Sequence, residues 1–294
     1  MRGRFSLSLR GRWRNAHKPR RSWSVKFGCG AGLLVALLVS DSHRGPEPTW
    51  SPPVPGAIYS TGFKAPREIR LPDGSLAILN ANSELHSRFT PRERLLELTR
   101  GEALFAVSHD RYRPFYVTAM GTVVRAVGTR FSMRLQDNQH VEVMVEEGRV
   151  EVSEKPERKE GEPAMAMPPA AVLSAGDIGM SSMTENASIK EFSVTPGHAT
   201  DIQRRLSWTH GQLTFNGQTV DAAVNEINRY GKVRFEIEDS SITRVRIGGS
   251  IRLDKPDDFV KQLWLVYRIR GVEVGRDADG VRVIRLRGVR KSRH

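Results

Sequence analysis

Eight histidines, one cysteine and one adjacent pair of glutamates are the residues from which this chain of 294 could build a reaction centre. The histidines are His17, His43, His86, His109, His140, His198, His210 and His294. None stands at His-x-His spacing and none belongs to a His-Glu-x-x-His run, so neither a cupin-like nor a zincin-like metal site is signalled. His109-Asp110 follows the apolar run Ala103 to Val107 and reads as a turn rather than a ligand pair. A nucleophile is equally hard to find. Cys29 falls inside an apolar segment, and no Gly-x-Ser-x-Gly elbow occurs. Gly121 to Gly128 has spaced glycines, but no helix pattern opens after it, as a dinucleotide loop would require. Glu146-Glu147 could work as paired carboxylates only if both faced one way. Consecutive strand residues face opposite ways, so a bulge or turn at Gly148 accounts for them better. The expectation is a chain with no catalytic residue, no cofactor and no metal, and so not an enzyme.

What the elements must position is then a surface. From residue 61 to residue 153, short apolar segments alternate with turn signals such as Pro72-Asp73-Gly74 and Glu147-Gly148. Ile69 and Leu71, Leu76 and Ile78, and Val141, Val143 and Val145 fall at period two. That is the signature of half-buried strands, whose side chains point alternately to opposite faces. Turn signals recur every 8 to 12 residues or so, which predicts an all-β domain of layered or coiled antiparallel sheet and not βαβ units.

The net charge of +13 suggests a nucleic-acid partner until it is located. Of 46 Lys and Arg residues, nine lie in residues 1–26 and six in 281–294, stretches without Asp or Glu, leaving 31 against all 33 acidic residues. Charge gathered at the ends argues for tails meeting anionic surfaces, not for a basic groove. No helix-turn-helix, zinc-finger spacing or aromatic RNA-binding signature supports a nucleic-acid role. Phe27 to Val39 is the longest uncharged apolar stretch, and extended from Trp23 to Ser40 it approaches the length of a bilayer span. The cationic leader before it and Asp41 after it place the N-terminus in the cytoplasm and the bulk of the chain outside. A cleavable signal peptide has the same layout. A cut after Ser40 would put Leu38 at the minus-three position, a poor fit, so an uncleaved single-pass anchor is preferred.

The expected layout is a basic cytoplasmic stub (1–26), a transmembrane segment (27–40), a Pro-rich spacer (41–60), the β domain (61–182), a linker (183–205), a C-terminal α+β domain (206–288) and a basic tail (289–294). Five prolines between Gly45 and Gly56 would keep the spacer extended. Ser153 to Pro169 reads as a surface loop interrupting the β domain. In the C-terminal domain, Thr219 can cap a helix with the apolar stripe Val220, Ala223, Val224 and Ile227, stopped at Gly231. Asp254 is expected to cap a second helix, with Pro256 in its first turn and Phe259, Leu263, Val266 and Tyr267 on its buried face. Strands fill the rest, in the order β-α-β-β-α-β-β.

Six motifs in order, Thr61-Gly62 leading into Arg67-Glu68-Ile69-Arg70-Leu71-Pro72-Asp73-Gly74-Ser75, Leu79-Asn80-Ala81-Asn82-Ser83, Leu98-Thr99-Arg100-Gly101-Glu102-Ala103-Leu104-Phe105, Arg113-Pro114-Phe115, Val127-Gly128-Thr129-Arg130-Phe131 and Val145-Glu146-Glu147-Gly148-Arg149-Val150, resemble the exported domain of the FecR family. Ala171 to Gly179 resembles that family's closing strand pair. The C-terminal domain resembles the secretin and TonB short N-terminal domain, and Trp208-x-x-Gly211-x-Leu213-x-Phe215 with Asn228-Arg229-Tyr230 resembles the start of the FecR C-terminal region. The resemblance implies an inner-membrane, single-pass, mostly periplasmic regulator. It would relay a signal from a TonB-dependent outer-membrane receptor, of the kind used in iron transport regulation, to an extracytoplasmic-function sigma factor. Those seven C-terminal residues are then candidates for protein interaction. Core packing is the preferred role for the rings of Trp208 and Phe215, and a helix C-terminus accounts equally well for Asn228-Arg229-Tyr230. The departure is the N-terminal region, shorter than the helical, sigma-binding part that FecR proteins carry. The start lies upstream, the part has been lost, or the basic stub itself meets an acidic partner or anionic lipid. An envelope protein that binds glycan or another surface polymer is the alternative, and exposed aromatics among Phe89, Tyr112 and Tyr116 would favour it.

Overall fold

In the computed structural model, residues 56–63, 66–136, 139–154, 169–183 and 189–289 are described. The expected stub, transmembrane segment and tail, and most of the spacer and of the loop after Ser153, lie outside them. Among the described residues no helix is long and apolar enough to cross a membrane. All of them belong to one unit, Trp50–His294.

Alternating segments become strands, and glycines of positive φ at residues 74, 101, 121, 148 and 176 turn the chain between them. The first strands are β1 (Ala57–Ser60), β2 (Arg67–Arg70), β3 (Leu76–Leu79), β4 (Glu84–Phe89) and β5 (Arg94–Arg100). Next come β6 (Glu102–Ala106), β7 (Phe115–Ala119), β8 (Thr122–Ala126), β9 (Arg130–Gln136) and β10 (His140–Glu147). The last are β11 (Arg149–Glu154), β12 (Ala171–Ser174), β13 (Asp177–Met183) and β14 (Ile189–Pro196). They form two sheets among the described residues, ordered β1-β4-β5-β7-β8-β11-β12 and β2-β3-β6-β9-β10-β13-β14. We call these the outer and the middle sheet. Neighbours run antiparallel except β5 and β7, which are parallel because β6 is spent in the middle sheet before the chain returns.

The facing sides of the two sheets share one apolar core. Leu85, Leu96, Phe115, Val117 and Val124 from the outer sheet meet Phe105, Phe131, Met133, Val141 and Val143 from the middle sheet. The rings of Phe105 and Phe115 touch edge to face across the layers, 6.0 Å between centroids. Each such side chain contributes about 1.5–3 kcal/mol by leaving water. One ion pair is buried at the margin of this core. Arg94 donates to Asp73 Oδ2 at 2.6 Å, and the two side chains are 0% and 1% exposed. Its guanidinium also donates to the carbonyls of Arg113 and Ser108 and lies over the Phe115 ring. The Pro-Asp-Gly turn and the Arg113-Pro114-Phe115 segment are thus tied to β5 by one side chain.

After β14 come helix α1 (Ala199–Arg205), a 3-10 turn at Ser207–His210 and β15 (Gln212–Thr219). Helix α2 (Val220–Asn228), β16 (Val233–Ile237), β17 (Arg246–Arg252), α3 (Asp257–Tyr267), β18 (Ile269–Arg276) and β19 (Arg282–Gly288) complete the domain. Strand β15 pairs with β17, and β16-β19-β18 form a second small sheet. Thr219 Oγ1 accepts from the Ala222 amide at the start of α2, and Val220, Ala223, Val224 and Ile227 are all buried, as the stripe predicts.

Four details differ from expectation. Residues 189–205, read as linker, form an edge strand of the middle sheet and a helix. The strand alternates too weakly to stand out, because an edge strand buries little. Ala171 to Gly179 does not form a pair of mutually bonded strands; β12 joins the outer sheet beside β11 and β13 the middle sheet beside β10. Asp254 does not cap α3, because its carboxylate is taken by Arg252; the helix begins at Asp257, after Pro256. Val266 is 63% exposed and does not share the buried face of Phe259 and Leu263.

Candidate functional site

Register decides what the second face of the middle sheet displays. Glu102 on β6 stands opposite Arg134 on β9, and Arg134 stands opposite Glu142 on β10. A Glu-Arg-Glu row therefore crosses three strands on one face, since cross-strand partners point the same way. Two residues along each strand lies an apolar row: Ile78, Leu104, Met144 and Ile178, with Ser132 among them. In an isolated sheet this would be a water-facing surface. Here Leu104 and Met144 are buried with Ile202, Leu206 and Trp208 of the C-terminal domain, which closes over the face.

The C-terminal domain answers the charges one by one. Trp208, 1% exposed, donates its indole N–H to Glu102 Oε1 at 2.9 Å. Arg205 of α1 donates to Glu142. Arg134 donates to Glu226 of α2 at 3.1 Å, and Arg229 bridges Glu226 at 2.8 Å and Glu102 at 3.5 Å. Asn80 Nδ2 donates to the remaining Glu102 oxygen at 2.9 Å. Burial pushes the Glu102 carboxyl above its ordinary value, although Arg134 and Arg229 pull the other way. Burial opposes the Arg134 cation, but Glu226, Glu102 and Glu142 outweigh it and hold its pKa up. The Tyr230 hydroxyl is raised well above the usual phenol range, first by burial and then by the charges of Glu226 and Glu102. A buried network of this kind is costly to leave half-satisfied and specifies one seating of the two domains.

The residues expected to contact a partner fall in four places. Trp208, Arg229 and Tyr230 belong to the junction. Leu213 and Phe215 are buried within the C-terminal domain, where Phe215 lies 6.3 Å from Phe259. Asn228 joins α2 to β16: its amide donates to the Phe235 carbonyl at 2.9 Å and its oxygen accepts from the Phe235 amide at 2.8 Å. Gly211 takes a left-handed conformation, φ 71°, after the 3-10 turn, and with Tyr230 borders a cleft of about 390 Å³ that also meets His210, Lys232 and Arg252. Glu102 stands in the sequence only as part of a turn motif, and Arg134, Glu142, Arg205 and Glu226 belong to no motif at all. The signal available was charge on the polar phase of strands β6, β9 and β10, which ordinarily marks a wet face.

The domain's free surface lies elsewhere. Trp264, Leu265 and Val266 on α3 are 42%, 68% and 63% exposed, and Val274 on β18 is also exposed. Among the described residues, β18 is bonded only to β19, so its other edge is open. The aromatics that would make a polymer-binding platform do not form one. Phe89 is in the core, Tyr116 is half-buried on β7, and Tyr112 is exposed in a loop. Glu146 is the extra residue of a bulge between Val145 and Glu147, and its carboxylate forms an ion pair with Arg130. Among the described residues no three His, Cys, Asp or Glu side chains gather as a metal ion needs.

Among curated proteins, none matches the chain by sequence. Two crystal structures of a candidate anti-sigma factor from Parabacteroides distasonis, at 2.50 and 1.65 Å, share its fold. Each has a TM-score of 0.58 and 22% sequence identity, and covers 80% of this chain and 100% of its own. The sequence profile of the family described as FecR protein matches residues 57–151, from β1 into β11. Residues 57–151, the larger part of the two-sheet domain, accordingly carry the sequence pattern of the FecR family.

Proposed function

We propose that the chain is a non-catalytic regulator of the anti-sigma type, anchored in the inner membrane near residues 27–40 with its bulk in the periplasm. Its C-terminal domain receives the signalling domain of a TonB-dependent receptor, and the outcome reaches an extracytoplasmic-function sigma factor. The observation that carries this reading is the exposed apolar run Trp264–Val266 of α3 together with the unbonded edge of β18, on a domain whose α1, Trp208 and α2 are already spent on the FecR sheet. Three consecutive large apolar residues in water are unusual on a soluble surface and mark a protein contact. An open strand edge adds backbone hydrogen bonds for a partner's strand. The fold shared with a candidate anti-sigma factor supports the sigma-factor limb. The cationic leader before an apolar segment supports the anchor.

A cell carrying a sigma-dependent reporter tests the reading. Trp264→Glu with Leu265→Lys should abolish the response to the receptor's ligand, and should abolish capture of the receptor's N-terminal domain by the full-length chain. Retained capture and response would remove α3 from the contact. A reporter indifferent to deletion of the whole chain would sink the regulatory reading itself.

A further inference from the structure

The point at which the chain enters the β sandwich is fastened to the same junction. Thr61 donates its amide to the Ser83 carbonyl at 2.9 Å and its hydroxyl to the Asn80 carbonyl at 2.6 Å, and the Asn82 amide donates to the Gly62 carbonyl at 2.9 Å. The loop 80–83 that receives these bonds is itself held by Glu102. The Ser83 hydroxyl accepts from the Glu102 amide at 2.9 Å, and Asn80 donates to the Glu102 carboxylate. That carboxylate is the acceptor for Trp208. A second contact runs directly between the domains. Phe63 rests on Gly231, where an added Cβ would come within 2.4 Å of the Phe63 Cβ.

We propose that the C-terminal domain acts as a latch on the entry segment: its seating on the middle sheet, through Trp208 on Glu102 and Gly231 under Phe63, holds residues 57–63 in place, and its unseating frees them. The route is short and entirely made of contacts, which is what coupling between two sites needs. Among the described residues β1 is an edge strand paired only with β4, with Tyr59 packed on the core, so a single four-residue ladder is its main backbone hold once Thr61 and Phe63 let go. Released, the first strand and the chain preceding it would become available to a protease or to rearrangement. That regulatory use rests on the function proposed above, whereas the coupling itself does not.

Hydrogen exchange on the full-length chain, followed by mass spectrometry, reads both ends of the latch. Arg205→Glu sets a like charge against buried Glu142 and loosens the junction from the C-terminal side without touching the entry segment. Exchange in peptides spanning 204–211 and 57–63 should rise together, by about tenfold or more, as expected when one opening event exposes both. Arg125→Glu, which breaks an ion pair inside the outer sheet with Glu151, should move neither. The latch is overturned if 204–211 opens while 57–63 keeps its protection, or if Arg125→Glu loosens 57–63 equally. Should Arg205→Glu open nothing, Trp208→Phe, which removes the indole donor to Glu102 and part of the buried ring, is read in the same way. A 57–63 peptide unmoved by both variants overturns the proposal. No receptor is present in this assay, so its result stands apart from that of the reporter experiment.

Discussion

Replacing Asp73 by alanine leaves Arg94 buried without its counter-ion. Removing one partner of a buried pair costs about 3–5 kcal/mol, because the surviving charge stays out of water. Arg94 keeps three carbonyl acceptors, at 2.8, 3.0 and 3.5 Å, and the Phe115 ring at 5.2 Å, which points to the low end of that range. Asp73 also accepts from the amide and hydroxyl of Ser75, and those bonds are worth roughly 1 kcal/mol together once loop relaxation is allowed. A total near 4 kcal/mol is a large part of the roughly 5–15 kcal/mol that holds a protein folded. With a urea dependence of about 2–3 kcal/mol per molar, the midpoint should fall by about 1.3–2 M. The double change Asp73→Ala with Arg94→Met removes both charges and should recover much of the loss. Glu151→Ala breaks the exposed pair with Arg125 and supplies the scale for a surface ion pair, about 0–1 kcal/mol. If Asp73→Ala lowers the midpoint no further than Glu151→Ala, the buried pair does not hold the Pro-Asp-Gly turn as described.

The pKa of Glu102 is raised in the fold, so its contribution to stability is complete below the ordinary value of 4.5 and is lost as pH rises through the folded value. Glu102→Gln should therefore gain on the parent as pH rises through that window in a series of urea midpoints, and a flat or opposite difference would contradict the burial argument. Gly231→Ala meets both a left-handed φ of 60° and Phe63, whereas Gly211→Ala meets a φ of 71° and nothing within 4 Å. Thermal melting should show about 1 kcal/mol lost at Gly211 and distinctly more at Gly231; equal losses would mean that Phe63 yields freely. Asn228→Ala forfeits both bonds to the Phe235 backbone and should cost about 2 kcal/mol in urea unfolding, while a loss under 0.5 kcal/mol would show that water replaces them.

Period two was readable because the core faces of both sheets obey it. Val141, Val143 and Val145 point inward, and they fall where the alternation puts them. The stripe of α2 was readable for the same reason, since all four of its apolar positions serve one core. The junction was illegible because a covered face uses the same polar phase as a wet one. Glu102, Arg134 and Glu142 look solvated until another domain brings Trp208, Arg205 and Glu226 to them. Helix α3 misled in the opposite sense. It has apolar residues around most of its circumference, and Val266 cannot be told from Leu263 without knowing which side meets a sheet. The residue types of α1 gave little to work with, for Ile202 is its single buried side chain.

The strands of the outer and of the middle sheet lie in the order in which the ribosome makes them. A sandwich assembled this way resembles a coiled stack, where every layer leans on the ones made just before and just after it. Hairpins can therefore form as they emerge, with no need to wait for a distant strand. The exception is the long reach back from α1 and Trp208 to strands β3, β6 and β10, made when synthesis is two-thirds complete. Maturation thus has a late step that cannot begin until the stack exists, and a chain truncated before it would carry an uncapped middle layer prone to aggregation.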